Sequence, residues 1–107
     1  MRTNEIHWHD SKIKRVIELP EQDMLLLDID YPVDWESDKY EPHRVTFVDV
    51  YVYEIHEGPI VGAPTLRSAE EQPAENGTRK IRLDTTAGYR IIRCRQIAIQ
   101  PLGEDGQ

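Results

Sequence analysis

The chain has one cysteine, Cys94, among its 107 residues. An intramolecular disulfide is therefore impossible, and a four-thiolate zinc site is excluded. It has one phenylalanine and no apolar run approaching the roughly 20 residues of a membrane helix. The first ten residues, MRTNEIHWHD, lack the apolar stretch of a signal peptide. A soluble, cytoplasmic chain with no membrane partner is the expectation. Glycine-rich phosphate loops are missing. The serines, Ser11, Ser37 and Ser68, sit in no nucleophile elbow, and nothing in the sequence marks the nucleophile, base and orienter that covalent catalysis needs. An enzyme is not the expected reading, and no cofactor is implied.

Positive charge is also short: 13 basic residues against 20 acidic ones leave a net charge of −7. Such a chain repels nucleic acid on average. The imbalance is uneven. Residues 1–40 hold ten acids and five bases, whereas residues 79–100 hold six bases and a single acid, Asp84. The basic stretch either forms a local patch or pairs with acids on neighbouring strands, where opposite charges attract.

What is present is strand pattern. In MLLLDIDY (24–31), Leu25, Leu27, Ile29 and Tyr31 alternate with Met24, Leu26, Asp28 and Asp30, the period of a β-strand. SKIKRVIEL (11–19) is strand or short helix; its branched residues favour strand, and Pro20 ends it. PEQD between the two runs reads as a hairpin turn. HRVTFVDVYVYEIH (43–56) reads as one long central strand, apolar on both faces, with Asp49 at a bulge or held by a hydrogen bond. RKIRLD (79–84) alternates as well. YRIIRCRQIAIQ (89–100) slips phase, which calls for a bulge or bend near Arg93–Gln96. Cys94 inside it reads as a small buried hydrophobe.

The residues between these runs are less regular. Segment 57–78 holds three of the six glycines and three of the seven prolines and reads as a long Gly/Pro-rich loop. Ser68-Ala-Glu-Glu71 fits a capping box, so one helical turn is placed there. The tail 103–107 is expected to fray. The fold class that follows is mainly β: an antiparallel meander of five to six strands, forming a sandwich or partly open barrel with at most one short helix, as a single domain over 1–107.

Two places carry candidate chemistry. The loop PVDWESDKYEP (32–42) alternates acids with exposed-looking aromatics. As a calcium loop it lacks the glycine at its sixth position and the glutamate at its twelfth. It reads instead as a contact surface for a basic protein partner, through Asp34, Trp35, Glu36, Asp38 and Tyr40, since aromatics anchor interfaces. The second place is HWHDS (7–11). His7 and His9 fall on one side of an extended segment, the arrangement of two metal ligands. The alternative function is therefore a metal- or small-ligand-binding β-barrel using His7 and His9. Against it stands a structural reading, in which Trp8 anchors the chain in the core while Asp10 and Ser11 make turn bonds. A further possibility is a homo-oligomer that pairs sheet edges between chains.

Trp8-His9-Asp10-Ser11, followed by Leu25-Leu26-Leu27 and Phe47-Val48-Asp49-Val50 and loosely by Ile97–Ile99, resembles small bacterial proteins. These begin with Trp or Phe, then His, Asp, and a Ser, Ala or Gly. Some are assigned as immunity proteins of polymorphic toxin systems and others are uncharacterised. Segment 57–78 departs from the more compact members. The resemblance implies a small β-rich domain that acts by binding, immunity-like, without cofactor chemistry.

Overall fold

The computed structural model describes residues 2–34, 36–59 and 62–103. They form eight strands: β1 (Lys12–Leu19), β2 (Met24–Asp34), β3 (Lys39–Val48), β4 (Val52–Glu57), β5 (Leu66–Pro73), β6 (Arg79–Thr85), β7 (Gly88–Cys94) and β8 (Gln96–Pro101). Helical structure among the described residues is limited to three 3-10 turns, at Thr3–Glu5, Pro20–Gln22 and Glu75–Gly77. None is long or apolar enough to cross a membrane.

The strands make two antiparallel four-stranded sheets, ordered β1-β2-β3-β8 and β4-β7-β6-β5. The alternation seen in the sequence decides which side chains go inward. Leu25, Leu27, Ile29, Val45, Phe47 and Ile97 from the first sheet meet Leu66, Ile81, Leu83, Ile92 and Cys94 from the second in one core. Each large side chain fully buried there contributes about 1.5–3 kcal/mol of hydrophobic free energy. Burial pushes the Cys94 thiol up to about 11, so at neutral pH it is protonated and unreactive.

Eight strands replace five or six because two apparent long strands are each split and β5 forms in a segment read as a loop. Segment 43–56 is not one central strand: it breaks after Val48, where Asp49 takes a left-handed φ of 57° and is exposed. β3 is interior to its sheet, and β4 is an edge of the other. Segment 89–100 breaks at Arg95, and that is where its phase slips. The two breaks lie together: the Arg95 N–H donates to Val48 O at 3.0 Å and the Tyr51 N–H to Arg93 O at 2.8 Å. The pair β3–β8 in one sheet thus continues as β4–β7 in the other, as one bent ribbon.

Segment 57–78 is not a continuous loop, because residues 66–73 form β5. The Ser68–Glu71 capping box does not start a helix. Ala69 and Glu71 instead stand opposite Leu83 and Ile81 of β6, and sheet pairing overrides the local signal. The tail expected to fray, 103–107, lies outside the described residues beyond Gly103.

Candidate protein-binding arm

β2 and β3 outrun their neighbours. β1 pairs with β2 no further than Asp30, opposite Lys12, and β8 pairs with β3 no further than His43, opposite Pro101. Past those points Tyr31–Asp34 and Lys39–Glu41 pair only with each other, as a two-stranded arm, and Pro42 at its base still accepts the Leu102 N–H at 2.8 Å. Pro32 is tolerated in β2, because at this point the strand has no second neighbour to receive an N–H bond. Pro32 sits opposite Tyr40 and Asp30 opposite Pro42.

The tip is set by Asp34. Its Oδ1 accepts the Glu36 N–H at 3.0 Å and its Oδ2 the Ser37 hydroxyl at 2.8 Å. The Ser37 hydroxyl, then the Glu36 N–H, hold the Asp34 carboxyl below the usual carboxylate range. Asp38 closes the turn with φ 51°, a conformation that short polar side chains tolerate. Glu36 and Asp38 are exposed. Trp35 lies outside the described residues. Tyr40 is 41% exposed and Val33, which the sequence reading did not single out, 42%. Val33 sits where the register shifts between Pro32 and Asp34; the bulge that exposes it has no signal in the alternation.

The arm is acidic. Residues 30–42 carry Asp30, Asp34, Glu36, Asp38 and Glu41 against Lys39 alone, and Lys39 lies 3.6 Å from Glu41. At its base is a recess of about 340 Å³ lined by Asp10, Lys12, Asp30, Tyr40 and Thr65. Tyr40 of the expected contact surface and Asp10 of the HWHDS segment therefore meet at one place.

HWHDS ties the two sheets together beside that recess. Trp8 is buried and its Nε1–H donates to Thr3 O at 2.8 Å. Asp10 turns the chain with φ 68°. Its N–H donates to Leu66 O at 2.9 Å, and the Leu66 N–H donates to Ser11 O at 2.7 Å. Ser11 is fully buried, its N–H on Trp8 O at 3.1 Å and its hydroxyl on His7 O at 3.4 Å. His7 and His9 are exposed residues. His9 Nδ1 lies 3.1 Å from Arg67 O and its Nε2 3.4 Å from Asp10 Oδ1, while the His7 main-chain N–H donates to the Tyr31 hydroxyl at 2.9 Å. Among the described residues no three His, Cys, Asp or Glu side chains gather as a metal would require.

Two charge networks went unread in the sequence. On the outer face of the first sheet, Asp28 stands in register between Arg15 of β1 and Arg44 of β3. Arg44 Nε reaches its Oδ1 at 2.7 Å and Arg15 Nη2 its Oδ2 at 2.9 Å. These bonds, Arg44's foremost, hold the Asp28 carboxyl below its usual range. In the second sheet Arg90 donates to Glu57 through Nε and Nη2, at 2.8 and 2.9 Å, and to the Tyr53 hydroxyl through Nη1 at 3.1 Å. Thr85 adds a bond to Glu57 at 2.9 Å. Arg90's bonds lower the Glu57 carboxyl.

The basic stretch 79–100 is only partly neutralised by neighbours. Arg79 pairs with Glu71, Arg82 with Asp84 and Arg90 with Glu57. Arg93 and Arg95 bind instead the Thr78 hydroxyl, the carbonyls of Glu75 and Asn76 and the Tyr51 hydroxyl.

No protein-family model matches the chain, and no curated protein sequence does. Among solved structures it is similar to an uncharacterised protein from Neisseria gonorrhoeae, at 12% identity and a TM-score of 0.55. The match covers 90% of this chain and 95% of that one. The likeness is one of fold.

Proposed function

We propose that this is a bacterial, cytoplasmic protein-binding domain without catalytic chemistry, and that the β2–β3 arm is its contact element. The observation that supports this reading is a protruding two-stranded arm, rich in carboxylates, that leaves Val33 and Tyr40 open to solvent. Apolar anchors ringed by charge of one sign are the make-up of a binding surface. The acids select a basic partner, whose cations meet the carboxylates of the arm around Tyr40. The resemblance of the N-terminal segment to immunity proteins makes the proposed role immunity-like, with a basic toxin as the partner.

The test is capture from host lysate with the wild type and a Tyr40→Ala/Glu36→Lys variant side by side, both checked by circular dichroism melts. A stoichiometric basic protein retained by the wild type and lost by an equally stable variant supports the reading. Equal capture by both chains sinks the assignment of the arm.

A further inference from the structure

Four strands form the outer edges of the two sheets, and three of them carry the devices that discourage pairing with another chain. β1 has Lys12, Lys14, Arg15 and a register shift between Ile13 and Arg15. β5 is charged and ends in Pro73, and β8 ends in Pro101. β4, Val52-Tyr53-Glu54-Ile55-His56-Glu57, carries two glutamates, one of them paired with Arg90, but has no lysine, no proline and no register shift. Its middle residue, Ile55, is 53% exposed.

Which main-chain groups of β4 face outward follows from one bond. The Gly58 N–H donates to Ala87 O at 3.0 Å, so Glu57 and Gly88, the next opposed residues, are a non-bonded pair. Because bonded and non-bonded pairs alternate, His56, Glu54 and Val52 bond to Tyr89, Ile91 and Arg93 of β7. The N–H and C=O groups of Tyr53, Ile55 and Glu57 then point to the open side. Glu57 agrees: its side chain is 1% exposed, yet the residue is not buried, so the area it shows is main chain.

We infer that β4 pairs with β4 of a second copy, antiparallel, about a two-fold axis at Ile55. In that register Ile55 faces Ile55, and Tyr53 of each copy faces Glu57 of the other, each pair exchanging both N–H···O bonds. Every residue in those bonds is one whose main chain points outward. Glu54 of one copy then stands opposite His56 of the other, twice, in non-bonded positions where side chains come closest. The two groups suit each other: within one chain His56 Nε2 lies 3.0 Å from Glu54 Oε1. Moving the axis to Glu54 sets Glu54 against Glu54. Moving it to His56 sets His56 against His56 and leaves Glu54 opposite Gly58. The charge pattern of the strand is thus self-complementary about Ile55, which names a second copy as the occupant of the edge. The interface is isologous and closes at two. Being narrow, it dissociates on dilution.

Sedimentation equilibrium of the whole chain, from low micromolar to millimolar, reads the association. The expected result is a reversible monomer–dimer equilibrium that Ile55→Lys abolishes by setting two cations together on the axis. Ile55→Cys fixes the register: the Cα separation across a bonded pair, about 5.5 Å, is within disulfide range. Oxidation should therefore link Ile55→Cys chains into dimers while leaving Tyr51→Cys chains single. Cys94 is buried and does not interfere. A wild type that stays monomeric throughout, a dimer unchanged by Ile55→Lys, or linkage of Tyr51→Cys as readily as Ile55→Cys overturns the inference. If Ile55→Lys does not fold, the wild-type association and the cysteine pair decide it.

Discussion

Glu57 accepts two bonds from Arg90 and one from Thr85 with its side chain 1% exposed, and Arg90 is 6% exposed. A guanidinium withdrawn from water this far requires its counter-charge. Glu57→Leu removes it and should cost about 3–5 kcal/mol in urea unfolding. Glu57→Leu with Arg90→Met replaces the pair by apolar volume and should recover most of that loss, since such replacement is often neutral. A double variant as unstable as the single one would mean that the Tyr53 and Thr85 bonds carry the site. The pair was hidden in the sequence because Glu57 and Arg90 lie in different segments. Nothing in EGP or YRI marks either as buried; the β4–β7 register, which sets Ile55 opposite Arg90, creates the contact.

The β4–β7 pairing depends in turn on Gly88. Its φ is 152°, and a Cβ there would lie 2.1 Å from His56 O. That is a collision with main chain, which no rotamer relieves. Gly88→Ala should destabilise the fold by about 1–3 kcal/mol through backbone strain, with amide exchange rising first along β4. Uniform exchange across both sheets would place the strain elsewhere. At this scale legibility divides by mechanism. Residues 24–31 were readable because one side chain in two meets the core. β6 was readable because Ile81 and Leu83 alternate with charged residues. β3 and β4 merged in the reading because Val48-Asp49-Val50 looks like continued alternation. A left-handed aspartate leaves no trace in hydrophobic pattern. β5 was missed for the opposite reason: SAEE satisfies a helix signal that only the partner strand β6 overrules. The acids of the arm were legible as a charged, aromatic-bearing stretch, while its extension beyond β1 and β8 depends on where those strands end.

For the molecule as a whole, acid is the condition that tests the charge networks together. Asp28 and Glu57 both have carboxyls lowered by arginine bonds. Unfolded, they protonate near pH 3.9 and 4.3. Between those values and their lower folded ones the unfolded chain binds more protons, so stability rises with pH there. Their contribution is fully present above the unfolded values and is lost as pH falls through the folded ones. Thermal melts should therefore hold a plateau down to about pH 5 and decline below it. Asp28→Asn should lower the plateau and shallow the decline. A decline equally steep in that variant would assign acid sensitivity to other carboxylates.

The bent ribbon also sets an order of events during synthesis. β3 is complete at Val48, but its second neighbour, β8, begins at Gln96. For the whole interval in which β4 to β7 are made, the nascent β1–β2–β3 sheet shows one side of β3 unpaired, with Val45 and Phe47 uncovered by the second sheet. Such distant pairing slows folding, since the loop must close before its contacts form. The early half of this protein therefore keeps apolar side chains without their full cover until its last strand pairs with β3.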